Sequence, residues 1–208
     1  MTEFEWLAHG DPRRLLEILR DVNPSDRKMR LFICACCRAF LAPTADERLR
    51  EAIDVGERYA DGLADKAERD AALAAADQAS RAVGGGILWM GAAVAANVPA
   101  AAAAAMTAAL DEAADPAAER FRQCAILRDL FGNPFRPRRL EAAWLRWNDR
   151  AVPRLARAQY DDGRFVDLPI LADALEEAGC DDAELVGHCR GDGHVRGCWA
   201  VDLLLGQV

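Results

Sequence analysis

A chain of 208 residues with a formal net charge of −8 and a pI near 5.0 has no general attraction for nucleic-acid phosphates or anionic lipid. Hydrophobic residues at 52% and charged residues at 29% argue against intrinsic disorder, and the length suffices for one core that buries roughly 70% of the unfolded surface without staples. The seven cysteines are an odd number, and the opening Met1-Thr2-Glu3-Phe4-Glu5-Trp6 lacks the basic and apolar regions of a secretory signal; reduced thiols and a cytoplasmic location are expected.

In chain order, a first helix is predicted from Glu3 to Ala8. Asp11-Pro12 then supplies an N-cap and an N1 proline for a helix through Arg20 with Leu15, Leu16 and Leu19 on its apolar face. Ser25 or Asp26 caps the next, where Met29, Phe32, Ile33, Cys36, Cys37 and Phe40 recur at helical spacing until Pro43. Thr44 with Glu47 reads as a capping box for a fourth helix to about Tyr59, and Asp65 opens an alanine-rich fifth to about Val83.

Gly84-Gly85-Gly86 is the best hinge in the chain. The uncharged stretch 87–110 is long enough to cross a bilayer at about 1.5 Å per residue. Alanine supplies little transfer free energy, however, and Asn97 and Pro99 interrupt the stretch, so a buried alanine helix pair is expected rather than a membrane span.

Asp115-Pro116 repeats the cap-plus-proline signal for a helix ending near Phe131 at Gly132-Asn133-Pro134. Short helical patterns follow at Leu140 to Trp147, Pro153 to Asp161, Leu168 to Ala178, Asp181 to Cys189 and Gly197 to Leu205. No alternating β-branched run is long enough for a strand. The expected fold is an all-α, compact multi-helix bundle of roughly nine to eleven helices without a substantial sheet. One domain over 1–208 is expected, with 84–115 as the place where a subdivision would fall.

Several strings carry a resemblance: Leu31-Phe32-Ile33-Cys34-Ala35-Cys36-Cys37-Arg38, the run from Leu127 to Pro137 (LRDLFGNPFRP), and His194-Val195-Arg196-Gly197-Cys198-Trp199. With the opening residues, they resemble a large paralogous family of uncharacterised planctomycete-type bacterial proteins, over nearly the whole chain. Leu168 to Gly179 (LPILADALEEAG) is similar to the short helical companion segment found beside repeat arrays in such bacteria. The resemblance implies no established activity and no catalytic residues; it favours a recruited interaction module.

Potentially reactive side chains concentrate in Cys180, His188, Cys189, His194 and Cys198. Zinc takes about four Cys or His ligands, and His194-x3-Cys198 resembles the second half of a zinc-finger arrangement whose first half is absent. His188 and Cys189 diverge by about 100° on a helix, so they would not readily hold one ion together. A feasible set is Cys189, His194 and Cys198 with Cys180, or with a thiol from Cys34, Cys36 and Cys37; the bland reading is that these are small buried apolar groups. The Cys34 to Cys37 helix could also hold a redox pair, and core packing explains it equally.

A cysteine hydrolase would pair Cys189 with His188 or His194 and orient the imidazole with Asp192, but no nucleophile elbow or oxyanion-loop signature accompanies these residues. The H-E-x-x-H, Walker-A and G-x-G-x-x-G patterns are absent. Arg136, Arg138 and Arg139, with Trp144 and Trp147, form the candidate interaction set; the Arg loop could bind phosphates, or simply pair with nearby carboxylates. The expected function is a non-catalytic helical protein-interaction or scaffold module, with a protein partner, no membrane, no nucleic acid and no cofactor. A zinc-binding protein or metal-dependent enzyme is the alternative, and a cysteine hydrolase a further one.

Overall fold

The computed structural model describes residues 2–41, 46–82, 103, 107 and 115–207. The fold is all-α: the described residues include ten bounded α-helices and one 3-10 turn, with no strand among them. Two compact units result, Met1–Leu127 and Arg128–Val208. The glycine run at 84–86 and nearly all of the uncharged 87–110 stretch lie outside the described residues. Elsewhere, no helix of the described residues is long and apolar enough to cross a membrane.

In the first unit, α1 (Glu3–Ala8), α2 (Pro12–Asp21), α3 (Asp26–Phe40), α4 (Glu47–Ala60) and α5 (Lys66–Ala82) begin where side-chain oxygens can take the first orphan amides. Thr2 forms a capping box with Glu5, Asp11 accepts from the Arg13 amide, Ser25 from Lys28 and Asp65 from Glu68. The fourth cap corrects the sequence expectation: α4 starts at Glu47, with Asp46 and not Thr44 as its N-cap, and Asp46 accepts from the Arg48 amide. A carboxylate directly before the first helical residue satisfies that amide and complements the positive helix end.

Helix α3 packs on α4 and α4 on α5. It carries Phe32, Ile33, Cys34, Cys36 and Cys37, all fully buried. Leu49 and Ala52 of α4 meet Ala76 and Ala79 of α5, small residues that let two helices approach closely. Arg30 and Arg69 stack over Tyr59 at 4.9 and 4.7 Å, so two buried guanidinium groups lie against one aromatic ring.

The unit boundary falls within α6 (Pro116–Phe131), whose last residues begin the second unit. That unit continues with α7 (Ala142–Asp161), a 3-10 turn at Phe165–Asp167, α8 (Leu168–Glu177), α9 (Ala183–Cys189) and α10 (Trp199–Leu205). Its core joins Trp144, Val152, Ala156 and Tyr160 of α7 to Leu171 and Leu175 of α8, Leu185 of α9 and Val201 and Leu204 of α10. Helix α7 is broken at Trp147–Arg150, where Asn148, Asp149 and Arg150 adopt φ of 43°, 58° and 64°. Pro153 then falls in the first turn of the resumed helix, where its missing N–H costs nothing. The break separates the two helical patterns expected at Leu140 to Trp147 and Pro153 to Asp161.

Candidate metal centre

Three segments of the second unit bring four potential ligands together. Asp129 comes from the last turn of α6, His188 from α9, and His194 and Cys198 from the glycine-rich loop that leads into α10. One donor atom from each lies within 4.8 Å of the other three. His188 Nε2 is 3.1 Å from Cys198 Sγ and 3.2 Å from Asp129 Oδ1. His194 Nδ1 is 2.6 Å from Asp129 Oδ1 and 3.9 Å from Cys198 Sγ. Tetrahedral zinc with bonds of about 2.0–2.3 Å separates its donors by roughly 3.3–3.8 Å, so the four atoms need to move by less than about 1 Å to surround an ion.

The outer atoms of these side chains are already engaged. Asp129 Oδ2 accepts the Val195 amide at 2.9 Å, which leaves Oδ1 as the inward oxygen. The second nitrogen of His194, Nε2, lies 3.1 Å from the Gly191 carbonyl and can only donate to it. In a neutral imidazole that bond makes Nδ1 a bare lone pair, facing a carboxylate oxygen at 2.6 Å. Two acceptors at that distance repel unless a positive charge lies with them. The charge can be a proton on His194 or a cation between the donors, and a backbone carbonyl on the outer nitrogen is the usual support of a metal-binding histidine.

The electrostatics agree. Burial opposes ionisation of Asp129, but hydrogen bonds and attraction from His188 and His194 outweigh it and hold the carboxyl below its ordinary pKa. Burial likewise opposes charge on His194, yet Asp129 and the carbonyls of Gly191 and His188 raise its pKa. Cys198 is fully buried, and burial with the nearby Asp129 carboxylate pushes its thiol well up despite the Ala200 and Val201 amides. A coordinated cation would reverse that cost and deprotonate the thiol.

The surrounding packing fixes the ligands. The His188 ring meets those of His194 and Trp199 at centroid distances of 4.7 and 4.8 Å. Gly132, at φ +61°, lies under the same indole: a Cβ there would sit 3.0 Å from Trp199 Cγ. Asp182 caps α9 through the Glu184 and Leu185 amides and accepts from Arg138 at 2.5 Å. Arg138 also pairs with Glu184 and stacks over Trp199, 5.8 Å from the ring centroid.

Of the ligand set expected from sequence, His194 and Cys198 come together, while Cys180 and Cys189 stay outside the cluster. The helix turn that separates His188 from Cys189 sends the histidine to the donors and the cysteine into the core, where burial pushes its thiol up to about 12. That is opposite to the depressed pKa of an activated nucleophile. Cys180 is half-buried against the same core, and its thiol too is raised by burial. Cys34, Cys36 and Cys37 belong to the core of the first unit, and no group of three or more potential ligands among the described residues includes them. In a hydrolase relay the thiol and the carboxylate occupy opposite ring nitrogens. Here His188 Nε2 faces both Cys198 and Asp129, and Asp192 is exposed.

The expected interaction set is also redistributed. Trp144 is buried in the core, Trp147 packs partly buried against it, and Arg138 is held by Asp182 and Glu184, whereas Arg136 and Arg139 are exposed. Sequence reasoning missed Asp129 and set aside His188. A signal did exist for Asp129, because the strings from Leu127 to Pro137 and from His194 to Trp199, singled out separately, meet at this cluster.

Fold and cluster together define an all-α protein with a mixed Asp, His, His, Cys donor group in its second unit. No family model, curated protein or solved structure matches the chain.

Proposed function

We propose that the second unit is a zinc-binding helical module in which the ion has a structural role, within a protein that acts non-catalytically by binding another protein. The observation that carries the zinc reading is the convergence of one donor atom each from Asp129, His188, His194 and Cys198 within 4.8 Å of one another. One thiol, two imidazoles and one carboxylate suit borderline-soft zinc better than calcium or magnesium, which take oxygen ligands. Four protein ligands close a tetrahedral shell, the pattern of structural rather than catalytic zinc sites. The resemblance to planctomycete-type proteins, with no activity attached to it, and a cytoplasmic location belong to this same reading.

The test is elemental analysis of protein purified without chelator or metal-affinity tag, with cobalt substitution as a spectroscopic readout. About one zinc per chain is expected, with cobalt absorption typical of a four-coordinate thiolate site. His194→Ala and Cys198→Ser abolish both signals, whereas Cys180→Ser and Cys189→Ser retain the metal. Metal-free protein that takes up neither zinc nor cobalt at neutral pH rejects the reading.

A further inference from the structure

A groove of about 530 Å³ opens between the resumed half of α7 and α10. Arg150, Arg154 and Arg157 line one wall, and Pro153, Leu204 and Leu205 form its apolar part. On the resumed part of α7 the spacing of 153, 154 and 157 places Pro153, Arg154 and Arg157 on one helix face, and Arg150, the last residue of the break, stands just ahead of them. Arg150 and Arg154 have no carboxylate partner among the described residues, and Arg157 has only a half-exposed contact of 3.8 Å with Asp161. By contrast, Arg138 is tied to Asp182 and Glu184, and Arg190 to Asp173 and Glu176. A row of cations with spare hydrogen-bonding capacity beside aliphatic surface is unusual in a chain of net charge −8.

We propose that this groove docks an acidic peptide segment whose aliphatic side chains pack on Pro153, Leu204 and Leu205 while its carboxylates pair with Arg150, Arg154 and Arg157. Charge complementarity selects an anion, and the aliphatic lining selects its class. Single-stranded nucleic acid is held by cations interleaved with aromatic stacking platforms, and no aromatic side chain lines the groove. A carboxylate-rich peptide needs only guanidinium forks and apolar contacts, which are what is there. From Arg154 to Arg157 the helix rises roughly 4.5 Å at 1.5 Å per residue, with Arg150 beyond it at the break, a fit for about one to two turns of a helical peptide or a short extended one.

The experiment is fluorescence polarisation of the full chain with a labelled peptide of about ten residues that alternates glutamate pairs with leucine. Saturable binding is expected. It should weaken at least tenfold in the R154E/R157E double variant, by about tenfold when the leucines become serine, and severalfold at high salt. An R154Q/R157Q variant, with unchanged far-UV circular dichroism, should lose binding as well, which separates lost cations from lost folding. Absence of peptide binding, or binding insensitive to both double variants, overturns the proposal. So does tighter arginine-dependent binding of an oligo-dT or an anionic phosphatidylserine vesicle, or self-association of the chain that the same variants abolish. None of these outcomes depends on metal content.

Discussion

At the scale of single residues, His194 and Asp129 set how the cluster responds to protons. In the metal-free protein, the raised pKa of His194 contributes stability that is fully present below its ordinary value of 6.5 and is lost as pH rises through the raised value. The lowered pKa of Asp129 contributes above 3.8 and is lost as pH falls through the lowered value. The pair therefore supports the metal-free unit best between these limits. Zinc needs the imidazole deprotonated, so its binding has the opposite slope. Thermal melts with and without zinc between about pH 5 and 8 should show a stabilisation that grows with pH. A stabilisation independent of pH would place the ion elsewhere.

Gly132 gives a second prediction at this scale. Its φ of +61° is unfavourable for any side chain, and a Cβ would press on the Trp199 indole at 3.0 Å. Gly132→Ala should cost about 1–3 kcal/mol in denaturant unfolding. Because the indole supports the His188 ring, metal affinity should fall with it.

Among the elements, α7 and α9 show how a local choice positions a distant group. Three successive residues with positive φ interrupt α7, and asparagine and aspartate tolerate this conformation better than arginine does. Arg150→Val, with a branched Cβ at φ +64°, should destabilise by about 1–2 kcal/mol, while Arg150→Gly should be neutral or slightly stabilising. The order of the two melting temperatures checks the backbone assignment. In α9, Asp182 both caps the helix and holds Arg138. Asp182→Ala removes both, and about 1–2 kcal/mol should be lost. Arg138→Ala leaves the cap and should lose less.

For the molecule as a whole, the four ligands come from α6, α9 and the loop before α10, so an ion there would cross-link segments far apart in sequence. Binding to the native state alone stabilises in proportion to the logarithm of metal concentration over Kd, by about 2.7 kcal/mol at a hundredfold excess. Chelation should lower amide protection in the loop at 190–198 and in α9 first, since these two segments supply three of the four ligands. Protection in α3 to α5 should not change, because none of the ligands lies there. Hydrogen exchange with and without chelator checks both statements.

The helices were legible because their signals are local. Asp11-Pro12, Ser25, Asp65 and Asp115-Pro116 each offer an oxygen to amides two or three residues ahead, and the structure uses every one of them. Thr44 was misread for the same local reason: Asp46 is a competing cap two residues later. The core role of Cys34, Cys36 and Cys37 was likewise open to helical spacing, since they share α3 with Phe32 and Ile33.

The cluster was only half legible. The short His194 and Cys198 spacing lies in one loop and can be read along the chain, but Asp129 is 65 positions from His194. His188 and Cys189 sit side by side, and sequence indicates only that a helix cannot aim both at one point. By itself, then, the sequence determined the all-α class, the helix starts and the residues from which a metal site could be drawn. Tertiary structure alone decided which were drawn: the packing of α9 on α8 and α10 fixed its rotation, turned the thiol of Cys189 into the apolar core, and left the imidazole of His188 facing the carboxylate of Asp129.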